Sequence, residues 1–348
     1  MSKPKNGTVA APVLRHHTVT SADVAREAGV ARSTVSRCLS GDSRISEATR
    51  DRVVATAERL GYQINKIARS MNTRKSDLIG LVTSGLSDPF RVEFLDHLIA
   101  AIQQAGFRPL VIDVSDPALM ETSMLNLLQY QIAGIVVTSG SPPPAIGQHF
   151  LRRDVPVVLV NRAGLLEGAD VINCDNIAGG QLAAEILLAS GKRRLGFLNM
   201  RGGTYSGNAR GEAFVAAIAP ELASGAVSFT PLSCNSADYD GGFQAGLKFL
   251  GKENAPDAIF CGKDHIALGL MDAARFELGL KVPDDLAIVG FDDIVAAGQR
   301  AYRLTTIAQS PARLAALTIG RLKQRIAGEV IRDERLILPV ELVRRETV

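Results

Sequence analysis

The sequence predicts an α/β protein in two parts, an all-α helix-turn-helix headpiece followed by two Rossmann-like subdomains. Three observations carry that reading. Residues 18–71 spell two short helices around a Gly-containing turn and then a third helix. From Leu78 onward, apolar runs of strand length alternate with amphipathic helices, as parallel sheets covered on both faces require. Charge divides at the same place. Residues 1–76 hold 14 Lys/Arg against 6 Asp/Glu, whereas the remaining 272 hold 25 against 30. A basic end joined to an acidic remainder places phosphate binding at the N-terminus and another task elsewhere.

In the headpiece, Ser21 is placed to cap a first helix whose Val24 and Ala25 face inward. Gly29 supplies the tight turn that follows. Ser33 to Leu39 form the second helix, with Val35 and Leu39 one turn apart on its inner side. Arg32, Ser33, Ser36 and Arg37 then point outward, as on a helix that enters a DNA groove. Ser46 is expected to cap a third helix, in which Val53, Val54, Ala57 and Leu60 close a small core, and Gly61 to end it.

The ordered string DVAREAGVARSTVSRCLSG, ISEATRDRV, LGYQIN and IARSM resembles the headpiece and hinge of the LacI family of bacterial transcription regulators. The resemblance implies a core of the periplasmic-binding-protein type, and it covers residue 18 to about residue 345. The expected organisation is a flexible tail at 1–17, a headpiece at 18–62, a hinge at 63–76 and a core at 77–348. Within the core, one subdomain takes about 77–175 and 308–338, and the other about 178–304 and 339–348. The chain is expected to cross between them near Asp175–Ala178, Leu304–Gln309 and Pro339.

NKIARSM (65–71) is too short to be a stable helix alone in water. The resemblance implies that it orders when two copies pair over a minor groove, with Met71 as the apolar wedge. On the same basis Arg32, Ser33 and Arg37 read bases, while Thr20, Thr34, Ser36, Ser46, Thr49, Tyr62 and Asn65 contact phosphates. Arg44 and Ala68 complete the DNA-facing set. Each hinge needs a partner and each headpiece reads half of a pseudo-palindromic site, so a homodimer is expected.

Composition and motifs weigh against other classes. The four cysteines are widely spaced, and the five histidines are dispersed, so neither a metal site nor a disulfide scaffold is indicated. No apolar stretch is long enough to span a membrane, and residues 1–17 lack the apolar region of a signal peptide, so a cytoplasmic location is expected. The phosphate-binding, hydrolase and metalloprotease signatures are all missing, and no cofactor is expected. A sugar-transport binding protein and a doubly wound enzyme remain as rival classes. The basic headpiece opposes the first, and the lack of a catalytic constellation opposes the second.

Open α/β sheets bind ligands beyond the carboxyl ends of their strands. The candidates there are Asp88, Phe90 and Arg91 in SDPFRVEF, Asn161 and Arg162 in VNR, Asn208 and Arg210 before GEAFVAAI, Lys263 in FCGKD, Asp292 in GFDD, and Gln309 in LTTIAQS. By the resemblance, Asn161, Arg210, Asp292 and Gln309 sit where the family holds a small-molecule effector such as a sugar. Lys263 and Arg91 depart from the family pattern, which has Asn and often an aromatic there. Together with Arg162 and Arg210 they would crowd cations into one cleft, which points to an anionic sugar derivative. The alternative is that Lys263 is neutralised by Asp292 or Asp264.

Overall fold

The computed structural model describes residues 19–39, 42–62, 76–138, 144–163, 166–329 and 335–348. It divides into two compact units, Met1–Lys75 and Ser76–Val348.

The small unit contains α1 (Ser21–Ala28), α2 (Arg32–Leu39) and α3 (Glu47–Arg59). The first cap differs from the expected one. Thr20, not Ser21, is the N-cap, because its hydroxyl and backbone N–H both reach Asp23 while its side chain accepts from the Asp23 N–H. Gly29 adopts φ 65°, the left-handed turn that separates α1 from α2. Val24, Val35, Val53, Ala57 and Cys38 form the core of the unit, and Leu39, Leu60 and Tyr62 pack around it. Helix α2 thereby turns Val35 and Cys38 inward and leaves Arg32, Ser33, Ser36 and Arg37 exposed.

The large unit is built on two six-stranded sheets. The first contains β1 (Leu78–Thr83), β2 (Arg108–Asp113), β3 (Gly134–Val137), β4 (Val157–Val160), β5 (Asp170–Cys174) and β11 (Arg335–Leu338), all parallel in the order β11-β5-β4-β3-β1-β2. Strands β3, β4 and β5 are buried at every position, and β3 and β4 accordingly read as continuous apolar runs. This sheet carries α4 (Pro89–Gln104), α5 (Pro117–Leu127) and α6 (Pro144–Leu151).

The second sheet contains β6 (Arg194–Met200), β7 (Ser228–Cys234), β8 (Ala258–Cys261), β9 (Ala287–Asp292), β10 (Thr305–Ala308) and β12 (Glu341–Val343), in the order β12-β10-β9-β8-β6-β7. Only the short β12 is antiparallel among these pairings. Its helices are α7 (Asn176–Ala189), α8 (Tyr205–Ala217), α9 (Ala219–Ala223), α10 (Tyr239–Phe249) and α11 (Asp264–Asp272). Helix α12 (Pro311–Ile326) returns to the first lobe, where Arg321 and Arg325 pair with the buried Asp170 at 3.2 and 2.9 Å.

These strands revise one expected boundary. Thr305–Ala308 belongs to the second sheet, so that lobe runs through Ala308 and not to 304, and the chain crosses after it. More strands are present than the eight or so that apolar runs suggest. SFTPLSC (β7) is half-exposed and contains Pro231, DVINC (β5) begins and ends on polar-flanked positions, and β10, β11 and β12 have four residues or fewer. None presents a long apolar run.

Helices α7 and α8 pack through glycine. A methyl group added at Gly180 of α7 would lie 2.4 Å from the Arg210 carbonyl and 2.9 Å from the Phe214 nitrogen of α8. Backbone atoms have no rotamer in which to retreat. Gly180→Ala should therefore cost about 1–3 kcal/mol by forcing α8 outward. Urea unfolding of the full chain followed by near-UV circular dichroism checks this; a midpoint equal to that of the unaltered protein would contradict it.

Candidate DNA-binding and effector sites

On the headpiece, the outer face of α2 is supported from α1. Arg32 Nε donates to Ser21 Oγ at 3.0 Å, which fixes the course of the arginine along the exposed face. Thr34 is half-buried at the same end. The Ser46 and Thr49 hydroxyls lie 2.9 Å apart, so the pair forms one polar point at the start of α3. Arg44 chelates Asp42 with Nε at 2.9 Å and Nη2 at 2.7 Å, and this pairing holds the Asp42 carboxyl well below its ordinary range. The Thr20 hydroxyl is committed to its helix cap. Asn65, Ala68 and Met71 lie outside the described residues.

In the large unit, one cleft collects side chains from both sheets. Asp88, Phe90, Arg91, Asn161, Arg162, Arg210, Lys263, Asp292 and Gln309 all line it. Asn208 does not. Helix α8 turns Ser206, Gly207 and Arg210 toward the cleft, and the helical period carries Asn208 to the exposed side, against Gly203. Sequence reasoning missed Asn199, Thr138, Thr204, Ser206 and Phe94, which also line the cleft. The detectable signal was Asn199, a polar residue inside the apolar run RLGFLNM; Gly207 and Gly262 leave room for its amide.

The floor is a buried network around Arg210, which is 3% exposed. Its Nε donates to Asn176 Oδ1 at 2.9 Å and one terminal nitrogen to the Gly262 carbonyl at 2.8 Å. The same nitrogen lies 3.5 Å from Asp292 Oδ1, and the guanidinium carbon sits 3.4 Å above the centre of the Phe291 ring. Gln309 Nε2 donates to Asp292 at 2.6 Å. Asn161 and Asp292 stand at strand ends with φ of 54° and 119°, in backbone that side chains seldom adopt. These turns bring strand-end side chains back over the cleft.

Lys263 finds its counter-charge where sequence reasoning did not look. Its Nζ pairs with Asp88 across the cleft, not with Asp292 or Asp264. Asp88 also caps α4, accepting from the Phe90 N–H at 3.1 Å, and lies 3.6 Å from Arg91 Nε. Burial alone would raise its pKa, but Lys263 and Arg91 outweigh burial and hold it below the usual carboxylate range. Asp264 instead lies behind the floor, accepting from Thr306 Oγ1 at 2.5 Å and the Ile294 N–H at 2.9 Å.

Arg162 has less support. One terminal nitrogen donates to the Thr138 carbonyl at 2.7 Å, while its buried Nε has no partner among the described residues. Burial first, and the charge of Arg91 second, lower its pKa to about 10. The cleft lining thus holds four cationic side chains against two carboxylates, Asp88 and Asp292.

Comparison with known proteins places this arrangement. Residues 20–65 match the model of bacterial regulatory proteins of the lacI family, and residues 184–348 match the periplasmic binding protein-like domain. The headpiece is therefore of the lacI family of bacterial regulatory proteins, and it is joined to a periplasmic binding protein-like domain. It is 29% identical over 334 residues to the HTH-type transcriptional regulator DegA of Bacillus subtilis, covering 93% of this chain and 96% of that one. It is 28% identical over 330 residues to the ribose operon repressor of Escherichia coli, covering 94% and 98%. Among solved structures, the lac repressor dimer bound to operator and the anti-inducer ONPF superposes with a TM-score of 0.80 at 28% identity, covering 94% and 98%. The complex of the transcriptional regulator CelR with cellobiose superposes with a TM-score of 0.68 at 27% identity, covering 95% and 100%. Among the described residues, no helix is long and apolar enough to cross a membrane, and no cluster of His, Cys, Asp or Glu is arranged to hold a metal ion.

Two carboxyls near the cleft are costly to ionise. Asp264 is pushed up to about 7, by burial first and then by the charge of Asp292, and Asp292 to about 6, where burial outweighs the attraction of Arg210. Both bind their proton more tightly in the folded chain than in the unfolded one. Their contribution to stability is therefore greatest at low pH and is lost as pH rises from about 4 to about 7. Asp264→Asn keeps an acceptor for the Ile294 N–H and removes the charge. Its melting temperature should fall less between pH 5.5 and 8 than that of the unaltered chain; parallel melting curves would refute the assignment.

Proposed function

We propose that this regulator is a homodimeric repressor that reads a pseudo-palindromic operator through α2, and that a small anionic sugar derivative in the cleft controls it. The observation that carries the first half is the exposed polar and basic face of α2, backed by Val35 and Cys38 in a closed three-helix core. Pairing of two chains is supported by the likeness to the lac repressor dimer bound to operator, which superposes over 94% of this chain. In this reading Arg32, Ser33 and Arg37 face bases, and Thr34, Ser36, Ser46, Thr49 and Tyr62 face the backbone. Asn65, Ala68 and Met71 of the hinge would extend the contact into the minor groove.

Gel-shift titration against the DNA upstream of the chain's own gene tests base reading. Arg32→Ala should lose roughly 1–3 kcal/mol per half-site and relax preference at one operator position. Thr34→Ala should weaken all operator variants evenly. If Arg32→Ala leaves the ranking of variants unchanged, α2 does not read bases through Arg32.

The second half rests on the excess of cations in the cleft. Arg210 is neutralised by Asp292 and Lys263 by Asp88, which leaves Arg162, beside Arg91, as the buried charge that a ligand anion would satisfy. A charge-assisted hydrogen bond of this kind contributes about 1.5–3 kcal/mol, or roughly 10–100-fold in affinity. A thermal-shift screen of sugars and their acids should therefore favour an acid, and Arg162→Gln should weaken it by about that factor. Tight binding of an uncharged sugar, with no response to its acid, would overturn this half alone.

A further inference from the structure

Phe90 and Phe94 on α4 belong to the first lobe, and Leu198, Ile266 and Leu304 to the second, yet one contiguous buried apolar cluster contains all five. The lobes are therefore packed together and not merely facing. At the mouth of the same cleft, the Lys263–Asp88 pair joins the end of β8 in the second sheet to the start of α4 in the first. Both partners are largely shielded, their side chains being 15% and 12% exposed. An ion pair at that depth is screened little, and losing either partner strands a desolvated charge.

We infer that Lys263 and Asp88 form an interlobe latch, in which the Asp88 carboxylate takes the place of an effector anion and holds the two lobes closed in the effector-free protein. The inference rests on the reading of the cleft as the effector site and adds how that site is regulated. An acidic effector then binds by exchange, offering Lys263 a second carboxylate or phosphate in place of Asp88, and the partner swap is what couples occupancy to lobe spacing. An uncharged ligand of the same shape cannot drive that exchange, because it makes no differential contact with Lys263 in the latched and unlatched states. The geometry also explains why one carboxylate serves as both helix cap and latch. The cap bond uses Asp88 Oδ1, which leaves Oδ2 for Lys263.

The test needs neither effector nor DNA, so its outcome is independent of whether the bound ligand is an acid or the operator is the right one. Spin labels are introduced at two exposed positions, Arg153→Cys on the first lobe and Lys252→Cys on the second, the native cysteines being buried. Labelled chain is diluted into unlabelled chain, so that the measured distance lies within one copy. Asp88→Asn retains a good helix cap and removes only the charge; Lys263→Met retains the stem and removes the ammonium. Each should lengthen and broaden the interlobe distance distribution relative to the unaltered chain, and Asp88→Asn with Lys263→Met together should open the lobes no further than either change alone. The latch is overturned if either single variant keeps the original distribution, or if the double variant opens by the sum of the two.

Discussion

A guanidinium removed from water must be given back its partners within the protein, and the cleft is organised around that demand at Arg210. Stranding the charge would cost several kcal/mol. Instead it meets Asn176 from the first crossing, the Gly262 carbonyl at the end of β8, Asp292 at the end of β9 and the Phe291 ring beneath it. These partners come from three different segments, so each segment must arrive in register. The close approach of α7 and α8 through Gly180 and the left-handed backbone at Asp292 both follow from this requirement. Gln309, on the second crossing, donates to the same Asp292 oxygen that faces Arg210.

This gives the cleft two tiers with different electrostatic characters. The floor is self-neutralising, and Asp264 behind it is pushed up to about 7 by burial first and then by the charge of Asp292. The rim is not neutral. Lys263 is shared with the opposite lobe, Arg91 leans on the same Asp88 oxygen, and Arg162 retains a buried donor without a partner among the described residues. Rigid polar floors fix a ligand's orientation, whereas incompletely paired charges at a rim decide which ligand is worth desolvating. On the proposed reading, the choice of ligand is therefore made mainly at the rim.

How legible this was in the sequence follows from how local each contact is. The headpiece was readable because its turn, helices and core lie within a few dozen residues and repeat at helical spacing. Even there, Thr20 and Ser21 are both acceptable caps, and only the position of Asp23 three residues after Thr20 decides between them. Strand-end positions in the core were readable because buried parallel strands are apolar until they stop. The strands β7, β10, β11 and β12 were not, being short or half-exposed. Asn208 was placed by motif, and the helical period around Arg210 carried it away from the cleft. The Lys263–Asp88 pairing joins residues 175 positions apart on different sheets, and no local pattern announces it.

The placement of the network also bears on how such a cleft can influence the rest of a chain. Arg210 touches Asn176, which begins the helix after the first crossing, and Asp292 holds Gln309, which precedes the helix after the second. A ligand on the floor therefore contacts groups bonded directly to two of the three segments about which the lobes can rotate. Helix α12, which follows the second crossing, is pinned to the first lobe by Arg321 and Arg325 on Asp170. That buried carboxylate makes α12 move with β5 and not with β10. On the proposed reading, a small rearrangement at the floor would be expressed as rotation of one lobe against the other, because close-packed sheets and helices absorb little strain.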